Sequence, residues 1–265
     1  MSTDEKSRPR ILCFHGAGSS GAIFRAQGRK IFRGLQKSFR FVFLDAPFES
    51  LAGPGMWPTY AQSGPFYRWQ CDDTAVQNFD ISYDEVRQER DRVRRYVEDQ
   101  LRHEDGAPFV GIMGFSQGAR VACGLLQYLE KKRRQDDSEL PEIKFVVINS
   151  GTYPPLLLED DVEDLVNSTE KLSPDDASSM SEAESPASRE GNRIKIPSLH
   201  LHGSDDPWRP ESERLLTDFF DTSVSTVIEY KGGHQVPVVD QDTRHVVMGI
   251  QELAAKALGG TVKET

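Results

Sequence analysis

Residues 109–118 read Phe-Val-Gly-Ile-Met-Gly-Phe-Ser-Gln-Gly, an apolar run that ends in Gly114-Phe115-Ser116-Gln117-Gly118 and leads straight into a helical pattern over 117–131. A strand, a tight turn with a serine between two glycines, and then a helix is the setting of a nucleophile elbow. The strained turn lifts the serine hydroxyl above the sheet. The glycines let neighbouring backbone close in, and the amide of the next residue faces a developing oxyanion. This one stretch therefore predicts both a parallel-strand architecture and a serine nucleophile, Ser116.

Working outward, short apolar or β-branched runs recur at 11–14, 41–44, 145–148, 199–201 and 226–230. Their nearly continuous apolar character suits strands covered on both faces, hence a mainly parallel sheet. Helical patterns separate them at about 21–36, 82–103, 211–220 and 240–258. The 82–103 segment opens with Ser82 and Glu85 spaced as a capping box. Val86, Val93, Val97 and Leu101 then form an apolar stripe interrupted only by Arg90. Alternating strands and helices predict an α/β fold of the α/β-hydrolase kind, with flanking helices. The whole chain, 1–265, is expected to be one domain.

A serine hydroxyl is a weak nucleophile unless a base and an orienting carboxylate stand beside it. After the run at 199–201 comes His202-Gly203-Ser204-Asp205-Asp206-Pro207, and after that at 226–230 comes Lys231-Gly232-Gly233-His234. Each places its polar group at a strand's carboxyl end, and the order Ser116, Asp206, His234 is that of α/β-hydrolases. Asp206, next to Pro207, is the preferred carboxylate; Asp205 stands as the alternative, and reads otherwise as a loop-capping side chain. The second oxyanion donor is expected from the loop after the first strand, His15-Gly16-Ala17-Gly18, with the Ala17 amide beside that of Gln117. That loop lacks the spacing of a phosphate-binding loop. A metal site built from His200, His202, Asp205 and His234 lacks a ligand motif, so no metal and no cofactor is expected.

The Gly/Pro-rich connection 48–71 reads as irregular but is rich in aromatics. Trp57, Phe66, Tyr67 and Trp69 either line an acyl pocket or pin the loop as a satellite cluster. Residues 156–192 break the pattern: eleven carboxylates stand against Lys171 and Arg189, so nearly all of the net charge of −10 sits there. This acidic, Ser-rich insertion reads as a solvated loop, with a lid or a partner-binding element as alternatives. An overall acidic chain disfavours nucleic acid as a partner. No run approaches the roughly 18 apolar residues of a membrane span. Three cysteines without ligand spacing, and a start without an apolar leader, suit a reduced cytoplasm.

Taken together, Ile11–Gln27, the segment Phe-Val-Phe-Leu-Asp-Ala-Pro-Phe-Glu-Ser at 41–50, Pro54-Gly55-Met56, Tyr67-Arg68-Trp69, 114–119, 148–151, 201–208 and 232–237 resemble the fungal family of serine hydrolases related to the human ovarian-cancer-associated serine hydrolases. The resemblance spans about residues 10–255 apart from the insertion. It implies an α/β-hydrolase with the triad on Ser116, Asp206 and His234. It also implies an ester or thioester substrate, since similar members act beside fungal polyketide synthases to release or trim a thioester-bound product. An acyl-carrier domain is then an implied partner.

Overall fold

The computed structural model describes residues 6–71, 82–103, 106–135, 139–158 and 193–260. Six strands form one sheet: β1 (Arg10–Phe14), β2 (Arg40–Leu44), β5 (Phe109–Phe115), β6 (Phe145–Asn149), β7 (Ser198–Gly203) and β8 (Ser225–Tyr230). Their order is β2-β1-β5-β6-β7-β8, and every neighbouring pair is parallel. With the flanking helices this is the expected α/β-hydrolase architecture.

Alternation along each strand sorts the core onto two faces. Leu12, Phe14, Ile112, Val146 and Ile148 pack with α3 (Tyr83–Arg102), α4 (Gln117–Arg134) and α5 (Arg209–Phe219). Ile11, Cys13, Met113, Val147 and Leu199 point the other way, onto α1 (Gly21–Gln27), α2 (Arg29–Leu35) and α6 (Asp240–Leu258). At α3 the capping box forms: the Glu85 amide donates to Ser82 Oγ (3.3 Å) and the Ser82 amide to Glu85 Oε2 (2.8 Å). Val93, Val97 and Leu101 of its stripe are buried.

Two expectations are corrected. The single helix over 21–36 is two helices, because Gly28 closes α1 through its N–H to the Phe24 and Ala26 carbonyls and at the same time opens α2. The 48–71 connection, read as irregular, contains an antiparallel pair, β3 (Phe48–Ser50) and β4 (Phe66–Arg68). Three-residue strands are too short to show a period of two in sequence, and the pair is held by what it meets in space. Tyr67 exchanges backbone hydrogen bonds with Ser19 (2.7 and 3.3 Å), and Arg68 makes a two-pronged ion pair with Glu89 of α3 (2.8 and 2.7 Å).

Residues 159–192, most of the acidic insertion, lie outside the described residues. The stretch leading into it is core: Leu156 and Leu158 are buried, and the Leu156 amide donates to the Arg120 carbonyl (2.9 Å). Among the described residues, no helix is long and apolar enough to cross a membrane.

His200, in the middle of β7, is fully buried and packs edge-on against Phe220, with ring centroids 4.6 Å apart. Burial, reinforced by His202, lowers its pKa from about 6.5 to about 3. Burial likewise lowers that of His15, after β1, to about 4. Both rings are neutral when folded and take up protons on unfolding, so their contribution is full above the ordinary value near 6.5 and is lost as pH falls to about 4 for His15 and to about 3 for His200. Urea denaturation should show stability falling by about 1 kcal/mol per histidine between pH 6.5 and 5.5. His200→Leu should flatten that slope, and an unchanged slope would remove His200 as its source.

Candidate active site

The turn after β5 holds Ser116 at φ 53° and ψ −119°, a left-handed strain that a serine adopts only where the surroundings over-determine it. Two glycines provide that. A Cβ on Gly114 would stand 2.5 Å from the Gly118 carbonyl oxygen, and one on Gly118 would stand 2.2 Å from the Phe14 carbonyl oxygen. The Ser116 amide is anchored on the Asn149 carbonyl at the end of β6 (3.1 Å).

Opposite the serine, the loop after β8 brings in His234. Ser116 Oγ and His234 Nε2 are 2.8 Å apart, and His234 Nδ1 lies 2.9 and 3.1 Å from the two carboxylate oxygens of Asp206. An Nδ1–H that donates to Asp206 leaves Nε2 as the acceptor for the serine proton. The Asp206 side chain is almost fully buried and also accepts from the Trp208 amide (2.9 Å). Asp205 is exposed; its amide bonds the Gly232 carbonyl (2.9 Å) and holds the carboxylate loop to the histidine loop.

The Ala17 and Gln117 amides have no hydrogen-bond acceptor among the described residues. The loop that carries Ala17 is braced by His15, which is buried. Its Nδ1–H donates to the Gly16 carbonyl (2.7 Å), and its Nε2 accepts from the Ala46 amide (3.0 Å). A ring with one nitrogen donating and the other accepting has to be neutral, which agrees with its lowered pKa. From the other side the Gly53 amide donates to the Gly18 carbonyl (2.9 Å).

The four aromatics separate. Trp69, expected as a substrate contact, is instead fully buried. Its indole N–H donates to the His15 carbonyl (2.9 Å) and its ring meets Phe14 edge-on at 5.2 Å. It pins the connection to the loop that carries Ala17, and complete burial removes it from any open pocket. Phe66 and Tyr67 are half-buried in β4, and Trp57 is 71% exposed. The Gln117 side chain also serves the connection: its Oε1 accepts from the Trp69 amide (2.8 Å) and its Nε2 donates to the Gln70 carbonyl (3.2 Å). Among the described residues no group of three or more His, Cys, Asp or Glu is placed to hold a metal ion.

Two residues around the histidine escaped the sequence reading. The ring of Trp208 stands 4.5 Å from that of His234, so this residue touches both His234 and Asp206. An aromatic two positions after a candidate carboxylate, on a loop, was the available signal. Tyr230 gives none, because it reads as an ordinary strand residue. Its single phenolic hydrogen goes to the Gln235 carbonyl while its oxygen faces Ser150 Oγ (2.9 Å), tying the histidine loop to the end of β6. Burial pushes its pKa up to about 12, so it remains a donor throughout the working pH range.

The sequence model described as Serine hydrolase (FSH1) matches residues 1–246. The chain belongs to the FSH1 serine hydrolase family. It is thus a hydrolase of ester or thioester bonds. Relatives of this FSH1 hydrolase include thioesterase FSL2 of Gibberella zeae, 40% identical over 248 residues that cover 91% of each chain. Esterase citA of Monascus ruber is 34% identical over 94% of this chain and 93% of its own. Among solved structures, Zea mays acyl-protein thioesterase 2 superposes with a TM-score of 0.54 at 19% identity over 96% of both chains. Esterase PE8 superposes with a TM-score of 0.56 at 19% identity over 95% of both. At that identity the likeness speaks for the fold.

Tyr230→Phe should leave the FSH1 hydrolase folded but lower kcat roughly 10-fold with little change in KM, since a buried carbonyl loses its donor and the His234 loop loosens. Steady-state kinetics on a short synthetic ester will show it, and an unchanged kcat would mean that the loop keeps its place without that hydroxyl.

Proposed function

We propose that Ser116, His234 and Asp206 act as a catalytic triad. The observation that carries this is the continuous chain from Ser116 Oγ through both ring nitrogens of His234 to the buried Asp206 carboxylate. His234 Nε2 takes the serine proton as Oγ attacks the acyl carbonyl, and the resulting oxyanion is received by the Ala17 and Gln117 amides. Asp206 holds His234 in the tautomer with the proton on Nδ1 and stabilises the imidazolium. His234 then passes the proton to the departing thiol or alcohol, leaving the acyl group on Ser116. In the second half, water enters where the leaving group stood. His234 removes its proton, the tetrahedral intermediate collapses to the free acid, and Ser116 recovers its hydrogen.

We propose further that the substrate is a polyketide-type acyl thioester presented by a carrier domain, and that the enzyme works in the cytoplasm. Supporting the acyl half, Leu51 stands exposed on the loop that bonds Gly18, and the partly exposed Trp208 lies against the His234 ring. Exposed apolar side chains next to the loop that carries Ala17 and next to His234 suit an acyl chain better than a polar one. The thioesterase name of the relative at 40% identity supports the thioester half, as does the resemblance to hydrolases that act beside polyketide synthases. The esterase names of other relatives favour a second reading, a general short-chain carboxylesterase.

A fluorophosphonate should label the wild-type enzyme once and leave Ser116→Ala unlabelled, with turnover of the folded variant down at least ~10³-fold. Asp206→Asn should cost orders of magnitude in kcat and Asp205→Asn little. The reverse ranking would move the role to Asp205, and retained turnover by purified Ser116→Ala would overturn the serine mechanism. A kcat/KM for an acyl N-acetylcysteamine thioester well above that for the matching small oxygen ester would support the thioester reading over the carboxylesterase one.

A further inference from the structure

An ester bound at Ser116 has two halves, and proton transfer decides where each of them goes. In the proposed mechanism the carbonyl oxygen turns to the Ala17 and Gln117 amides, while the leaving atom has to come within about 3 Å of His234 Nε2 to take its proton. Side chains that flank His234 therefore meet the leaving group first. Two rings flank it. Phe115, buried and stacked on Phe24, lies 5.3 Å from the His234 ring, and Trp208 lies 4.5 Å from it. The Nδ1 edge of His234 is closed by Asp206, whose side chain is 1% exposed, and Phe115 faces the core. Of the two rings Trp208, 36% exposed, is the one open to an incoming substrate.

Nothing at the start of α5 calls for an indole. Trp208 is the residue that opens the helix, where Ser, Thr, Asp or Asn would bond a free helix amide, and its side chain makes no such bond. Its backbone is nonetheless held from both directions. The amide donates to Asp206 Oδ1 (2.9 Å), and the carbonyl accepts from the Glu211 and Ser212 amides (3.0 and 3.1 Å). A large aromatic is thus carried on fixed backbone, partly in solvent, against the base. We propose that Trp208 is the specificity-determining residue for the leaving group and that the group it selects is a thiol, an inference that rests on the triad and thioester readings above. As the bond from Ser116 Oγ to the acyl carbon forms and the carbon–sulfur bond breaks, the proton that Nε2 took from Oγ passes to sulfur, and the thiol departs. Sulfur and the methylenes behind it are polarisable and apolar, and an aromatic ring attracts both. The single methyl of a methyl ester gives the ring little to hold. The apolar flank at His234 then serves the leaving half of the substrate, and the flank at Leu51 is left to the acyl chain.

The test compares wild type, Trp208→Ser and Trp208→Phe, using one acyl chain as its N-acetylcysteamine thioester and as its methyl ester. The position is partly exposed, and thermal unfolding will check that the fold is kept. In Trp208→Ser the ratio of kcat/KM for the thioester to that for the methyl ester should fall at least ~5-fold, and Trp208→Phe, which keeps a ring, should recover most of it. Both substrates give the same acyl-Ser116. Its decay, followed by intact mass, should therefore slow less in Trp208→Ser than acylation by the thioester does. A ratio that survives Trp208→Ser would overturn the leaving-group role and leave the triad and thioester readings standing. Equal slowing of acylation and deacylation would overturn it as well, because a residue that only supports His234 affects both halves of the reaction alike. Wild type that cleaves the methyl ester and never the thioester would overturn the role together with the thioester reading.

Discussion

The site depends on how closely three backbone segments approach at Gly118. The end of β1 comes so near the first turn of α4 that a single added carbon on Gly118 would stand 2.2 Å from the Phe14 carbonyl oxygen. That approach sets the loop after β1 beside the start of α4 and brings the Ala17 and Gln117 amides to the same end of the sheet as Ser116. It also explains why strain is tolerated at the serine. The turn cannot relax toward ordinary dihedrals without driving α4 into β1, and α4 is locked at its far flank by Ala119, Ala122 and Leu125 in the core. The strain is thus sustained by packing that also stabilises the domain's main face.

A second layer of constraint is polar and holds the loops. Trp69 joins two systems: its ring nitrogen holds the His15 carbonyl, and its amide is held by the Gln117 side chain. The β3–β4 pair, the loop after β1 and the first turn of α4 are therefore tied to one another. Tyr230 does the corresponding work for the histidine loop, and the Asp205 amide for the carboxylate loop. Trp69, Tyr230 and Asp205 do not touch the reacting atoms in the proposed mechanism. Each satisfies a buried donor or acceptor that would otherwise be costly, so positioning and stability are served by the same bonds.

How much of this was legible follows from the range of each signal. The elbow, the capping box at Ser82 and Glu85, the run of parallel strands and the order Ser116, Asp206, His234 are local patterns, and each is written in a few neighbouring letters. The preference for Asp206 over Asp205 was available from the Pro207 that follows it, and the structure brings Asp206 to His234 while leaving Asp205 in solvent. The break at Gly28 was hidden because glycine inside an apolar-periodic stretch is ambiguous between a tolerated interruption and a cap. The anchoring of β4 on Glu89, the burial of Trp69 and the Tyr230–Ser150 contact depend on partners 21 to 80 residues away, and no window of local sequence contains them. Aromatics in a Gly/Pro-rich loop looked equally suited to a pocket or a pin, and burial decided Trp69 as a pin.

The histidines show how environment divides one residue type among tasks. His200 is sealed in the sheet, where burial alone keeps it uncharged, and it acts as a packing group against Phe220. His15 is also buried, but its two nitrogens are committed to one acceptor and one donor, which makes it a rigid spacer under the loop that carries Ala17. His234 alone of the three combines partial exposure, a carboxylate on one nitrogen and a hydroxyl on the other. A base must be able to gain a proton during turnover, and only a ring whose charged form has a partner in place can do so at low cost. His15 and His200 could not gain a proton without losing a hydrogen bond or carrying a charge into the core. In the proposed mechanism it is Asp206, its carboxylate almost fully buried and held by the Trp208 amide, that fits His234 for this task.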